Sequence, residues 1–237
     1  MENKSLLRTD KVYVTDKLYV RIPTVGEILD EEQKYFNIVN TLTAVPYQYM
    51  VQLDDVGIDF TAMSEYDLFL MLFMSYKNSD ISLVFGDLDI SDFTISECNN
   101  SKILFSLKND ILIDEDIYNQ LVSNIRNINN LEKFKYKIGN EEAKKYLLKK
   151  ERKRLKKLSN KPYKKYLEKI VIALVNNKDF KYDYDSVMNL SYFRFNQSFN
   201  QIQTNINFDK TMLGIYSGTV DTTKLKDKSC LSWIQTK

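Results

Sequence analysis

Apolar positions along the chain change period several times, and those changes predict its elements. Residues 11–22 read K-V-Y-V-T-D-K-L-Y-V-R-I. Val12 and Val14, then Leu18, Val20 and Ile22, alternate with polar or aromatic positions around Thr15-Asp16-Lys17, the pattern of a β-hairpin. Pro23 ends the second strand because it has no N–H for the ladder. Thr24 with Glu27 three residues on forms a capping box and opens a helix at Val25. Ile28, Leu29, Tyr35, Phe36, Val39 and Leu42 then recur near the helical period until Pro46. Residues 46–53 and 56–60 read as irregular or short helix, with a turn at Asp54-Asp55.

Ser64 starts the next helix, with Glu65 and Asp67 in its first turn, where the helix dipole favours anions. Residues 68–74 are apolar all round, which predicts deep burial, with Met71, Phe73 and Met74 in the core. Three short runs follow, at 81–85, 89–95 and 102–107, divided by Gly86-Asp87 and Asn99-Asn100. Their Ile, Leu, Val and Phe content predicts three antiparallel strands. Asp114-Glu115-Asp116 caps a helix carrying Ile117, Leu121, Ile125 and Ile128.

Beyond Gly139-Asn140 the pattern is helical. Residues 141–158 form one helix and Ser159-Asn160-Lys161 interrupts it. Pro162 restarts a second at the position where helices tolerate proline. There Tyr163, Tyr166, Leu167, Ile170, Val171 and Leu174 make an amphipathic stripe. Residues 183–185 turn, and Asp185 or Ser186 caps a third helix. Met188, Tyr192, Phe195, Phe199, Ile202 and Ile206 form its heptad-like seam. Gly214 and Gly218 bracket a turn, and the tail closes on Leu231, Trp233 and Ile234. The fold class is α+β. Residues 1–138 hold an N-terminal hairpin, helices and a short antiparallel sheet, and residues 139–237 a helical half with a basic helix.

Composition adds limits. In 237 residues, 43% are apolar and 28% charged, enough for a real core in one large domain or two small ones. The longest apolar run is residues 68–74, well short of the roughly 20 residues a membrane helix needs. The first residues lack an apolar stretch, so no secretory signal is expected. Cys98 and Cys230, without such a signal, predict reduced thiols in a cytosol.

Charge is unevenly placed. Residues 141–169 hold thirteen Lys or Arg against four Glu, or +9, while the whole chain is +2. Residues 53–116 hold fourteen Asp or Glu against Lys77, Lys102 and Lys108, or −11. The basic run has three readings. It grips phosphates, it meets an acidic protein partner, or it is a solvated helix neutralised by the chain's own acidic half or a neighbouring copy. A helix-turn-helix over residues 185–203 fits poorly, because its recognition helix is mostly aromatic and apolar.

Candidate chemistry is sparse. With no histidine, the commonest general base and metal ligand are missing. Residues 86–92 look briefly like a calcium loop. However, Asp92 stands where that loop needs Gly, and Cys98 where it needs Glu. Asp114-Glu115-Asp116 reads as a helix cap before it reads as a catalytic carboxylate pair. No catalytic residue, metal site or cofactor is expected.

Three stretches carry a resemblance. One is the hairpin running into Ile22-Pro23-Thr24-Val25-Gly26-Glu27-Ile28-Leu29. The second is Gly57-Ile58-Asp59-Phe60 followed by residues 64–73. The third is Gly214-Ile215-Tyr216-Ser217-Gly218-Thr219-Val220-Asp221, ending in Leu231-Ser232-Trp233. Together these resemble tail-morphogenesis proteins of tailed phages and prophages of low-GC Gram-positive hosts, of the tail-assembly-chaperone type. The basic insert is longer than that class implies, which leaves a structural tail, neck or baseplate protein open.

The resemblance implies a non-enzymatic protein of the host cytoplasm, or of the virion tail. It would bind the helical tape-measure protein, shield its apolar stripes and help recruit tube subunits. Self-association is also compatible, and no membrane is involved. Tyr163, Tyr166, Leu167 and Ile170, with Phe195, Phe199 and Ile202, are then the faces for helix-on-helix contact. Lys149, Arg152 and Arg154 steer an acidic partner. The alternative is a nucleic-acid-binding module using the basic helices.

Overall fold

In the computed structural model, which describes residues 5–98, 101–137, 139–159, 161–225 and 227–234, the hairpin forms as the alternation predicts. β1 (Lys11–Tyr13) pairs antiparallel with β2 (Tyr19–Arg21), Val12 opposite Val20. Leu18, Val20 and Ile22 are buried. The capping box also forms. The Thr24 hydroxyl accepts from the Glu27 amide at 3.3 Å, and the Glu27 carboxylate accepts from the Thr24 amide at 2.8 Å.

The helical run after Thr24 is two helices. α1 (Val25–Asp30) and α2 (Glu32–Leu42) meet at Glu31, whose φ of −126° and ψ of 40° leave the helical region. A 3-10 turn at Pro46–Tyr49 leads into α3 (Met50–Asp55), so Asp54 and Asp55 close a helix instead of making a turn. Ser64 caps α4 (Glu65–Met74). Leu68, Phe69, Leu70 and Phe73 are buried, but Met71 is 42% exposed and Met74 half-buried, so α4 keeps one face outward. Uniform apolarity concealed that side.

The expected strand at 81–85 is a helical turn, α5 (Ser82–Phe85). A run of five apolar residues is too short to show either period. The Asp80 carboxylate accepts the Ser82 amide at 2.9 Å and favours the turn. Gly86, at φ +61°, ends it, and a Cβ there would lie 2.4 Å from the Tyr19 hydroxyl.

The sheet is β3 (Thr94–Cys98), β4 (Ser101–Ser106) and β5 (Ile111–Ile113), antiparallel in that order. Residues 89–93 form no strand, with a turn at 91–92, and the third strand is 111–113. Asn99-Asn100 lie outside the described residues. Leu104, Ile111 and Ile113 face inward while Leu112 faces out, a period of two too brief to detect beforehand. Asp114 caps α6 (Glu115–Asn129), which buries Leu121, Ile125 and Ile128 as its spacing requires.

Asn140 caps α7 (Glu141–Leu158). The next helix starts at Leu167, not Pro162: α8 spans Leu167–Val175. Asp183, not Asp185 or Ser186, caps the short α9 (Tyr184–Met188). Ser191 then caps α10 (Tyr192–Tyr216), so the predicted third helix is split. The split has a backbone cause. Leu190 accepts from the Val25 amide at 3.0 Å and Tyr192 donates to Pro23 at 2.8 Å, an antiparallel bridge between Thr24 and Ser191. Gly214 lies within α10, and only Gly218, at φ +74°, turns the chain beyond it.

The architecture is therefore α+β with a helical C-terminal half. One core cluster draws on the hairpin, α1, α2, α4, the sheet and α6, and also on Leu167, Val171, Leu174, Phe195 and Ile202. A smaller cluster gathers Ala44, Met50, Val51, Leu53, Phe60 and Leu68 beneath α7. Phe195, 1% exposed, tests whether α10 belongs to the shared core. Phe195→Ala is expected to cost about 3–5 kcal/mol in urea unfolding. A loss below about 1 kcal/mol would place that ring outside the cooperative core.

Candidate functional site

The Lys/Arg-rich sequence folds as a helix held on one side only. α7 has 18 residues, about 27 Å at the usual rise, and none is buried. Leu147, Leu148 and Leu155 pack half-buried on the smaller cluster. Two cross-links tie it to the acidic half. Lys144 bonds Asp59 at 2.7 Å, its ammonium 5.6 Å from the centre of the Phe60 ring. Arg152 reaches Asp54 and Asp55, each at 2.6 Å. Arg154 instead pairs with Glu151 on α7 itself. Lys145, Lys149, Lys150, Lys153, Lys156 and Lys157 make no ion pair among the described residues.

Lys149 and Arg152 thus lie together. With Lys145, Lys153, Lys156 and Asp54 they border a groove of about 460 Å³. The Lys144 ammonium, helped by the Thr61 hydroxyl and amide, pulls the Asp59 carboxyl down to about 2.

The other predicted faces are placed differently. Leu167, Val171 and Leu174 are buried, and Ile170 packs half-buried against the main core. Phe195 and Ile202 are buried as well, with Phe199 half-buried beside them. Both stripes are largely spent on the body of the molecule. Tyr163 and Tyr166 precede α8, off any helix, and stay exposed at 41% and 65%.

Tyr163, Tyr166 and Leu167 converge on a residue that spacing did not single out. Glu32, at the start of α2, is 1% exposed. Its Oε1 accepts from the Tyr163 hydroxyl at 2.9 Å, the Tyr166 amide at 2.7 Å and the Leu167 amide at 3.3 Å. It thereby satisfies the first amides of α8, a task for which Pro162 offered no partner. Burial, and then this bond to Glu32, pushes the Tyr163 phenol up to about 12. The signal was present in the sequence: Glu32 stands in register with Ile28, Tyr35, Phe36 and Val39, a carboxylate inside an apolar stripe.

The aspartates of the failed calcium loop are internal braces. Asp89 bonds Lys108, and Asp92 accepts from Ser106, Asn109 and the Lys108 amide. Asp114 spends its carboxylate on the Ile117 amide. Among the described residues no group of three or more His, Cys, Asp or Glu is placed to hold a metal ion. No helix there is long and apolar enough to cross a membrane.

Residues 159–236 match the YomV second domain. That family is of phage and prophage type. The match takes in α8, α9, α10 and the tail, and leaves out α7 and everything before it. No curated protein matches the chain, and no solved structure does.

The Lys144–Asp59 bond can be read by titration. A carboxyl held below its ordinary 3.8 favours the folded state above that pH and loses the advantage as pH falls toward 2. Carbon-detected NMR of the Asp59 carboxyl is expected to give a midpoint near 2, returning toward 3.8 in Lys144→Gln. The same midpoint in both proteins would remove Lys144 as the cause.

Proposed function

We propose that this chain is a non-enzymatic phage or prophage protein that works by binding other polypeptides during tail assembly. Its role would be chaperone of the tape-measure protein or tail-associated virion structural protein, in the host cytoplasm or the virion tail. The observation that carries the reading is the outward face of α7. Six exposed lysines there make no ion pair among the described residues, although the same chain holds an acidic half.

Three half-buried leucines and two cross-links seat α7, and its exposed lysines are left available to a partner. Such a face raises encounter rates with an acidic surface more than it tightens the final complex. The phage-type match over residues 159–236 supports the setting. With the Leu167–Leu174 and Phe195–Ile202 stripes largely inward, the contact surface we propose is α7, the Tyr163–Tyr166 stretch and the far end of α10. There Leu213 and Tyr216 are exposed.

The test is association kinetics with a tape-measure protein from the genome that carries this chain. Replacing Lys149, Lys153 and Lys156 together by Gln is expected to slow association about 10- to 100-fold and leave dissociation nearly unchanged. The thermal melt should stay in place, since none of the three is paired. Equal association rates, or no complex with the parent protein, would defeat the proposal. So would tight binding to duplex DNA that collapses as salt rises from about 50 to about 200 mM, which is the signature of phosphate contacts.

A further inference from the structure

We propose that the groove above Glu32 is a binding site for a cationic nitrogen group, a guanidinium or an alkylammonium. The groove encloses about 660 Å³ between the start of α2, the stretch after Met74 and the segment before α8. It is a different surface from the α7 face, and the inference does not rest on the tail-assembly reading.

Three observations point to a cation. First, the Glu32 carboxylate is half used. Oε1 accepts three hydrogen bonds, whereas Oε2 is buried and meets no donor among the described residues. A desolvated carboxylate oxygen without a donor is unfavourable, and an N–H carrying positive charge offsets that most strongly. Second, the lining is acidic: Asp30, Glu31, Glu32 and Asp80 face Lys34 and Lys165.

Third, Lys34 is already committed. Its ammonium bonds Glu31 at 2.7 Å and Asp80 at 2.6 Å, and among the described residues it makes no ion pair with Glu32 or Asp30. The entry is also defined. Tyr163 is 41% exposed, lies outside any helix, and bonds Glu32 through its hydroxyl. A cation enters by displacing that ring and then donates to the carboxylate. The source is either a free amine or guanidine, or an Arg or Lys side chain on a partner polypeptide.

The experiment uses the whole protein labelled with ¹⁵N, reading the Tyr166 and Leu167 amides that Glu32 holds. N-acetyl-arginine amide is titrated against N-acetyl-citrulline amide, which has nearly the same shape without the charge. Saturable shifts of both amides, about tenfold tighter for arginine and absent in Glu32→Gln, are expected. A helical peptide carrying one arginine forms a second arm. Tighter binding than the amide assigns the site to a partner's side chain, and equal or weaker binding to a free ligand. If Glu32→Gln does not fold, Tyr163→Phe decides. Losing the competing hydroxyl should tighten arginine binding severalfold, and unchanged or weaker binding overturns the proposal. No saturable shift, equal response to citrulline, or a site holding only an ordered water would likewise overturn it.

Discussion

The short stretch from Pro23 to Glu32 holds the two halves of the sequence together. Its Pro23 carbonyl and Val25 amide exchange hydrogen bonds with Tyr192 and Leu190, and nine residues later Glu32 takes the first amides of α8. These bonds fix where α8 begins and why α9 and α10 are separate helices. Burying Glu32 is tolerable because Oε1 is triply bonded, with two of those donors at a helix N-terminus, where backbone dipoles favour an anion. Truncating that side chain would leave two amides and a phenol without their acceptor, a larger loss than the pairing itself contributes.

Charge then explains what packing does not. An acidic block and a basic helix in one chain would be expected to neutralise each other. Among the described residues they do so at Asp54, Asp55 and Asp59. Leu147, Leu148 and Leu155 set the rotation of α7, and once they are seated, Lys144 and Arg152 reach carboxylates of the body while the six remaining lysines stay exposed without an ion pair among the described residues. The apolar side of the helix thus decides which charges are spent inside the molecule and which are presented outside it.

Legibility in the sequence followed the length of each periodic signal. The hairpin, the Thr24 box, α6 and α7 were readable because each is specified locally by alternation, caps or a long stripe. The short runs were not. Residues 82–85 became helix beside the local Asp80–Ser82 bond, and 111–113 became strand by pairing with β4, Leu104 opposite Ile113, in runs too short to show a period. The split between α9 and α10 depends on a bridge to residues 167 positions away, Thr24 to Ser191, which no window on the sequence contains. Of the candidate site, the basic helix was plain from composition. Glu32 was visible only as a charge in an apolar register, and its partners were not visible at all.

The family match is informative about structure in a specific way. The matched residues 159–236 include Leu167, Val171, Leu174, Val187, Phe195 and Ile202, all buried in the core shared with the N-terminal half. The α7 lysines that make no ion pair among the described residues lie before the first matched residue, and so does Glu32. The phage-type setting and the two surfaces with spare charge are therefore independent lines of argument. The first concerns a core that the helical half shares with the N-terminal half. The second concerns groups that the core leaves over, and only such groups are free to recognise another molecule.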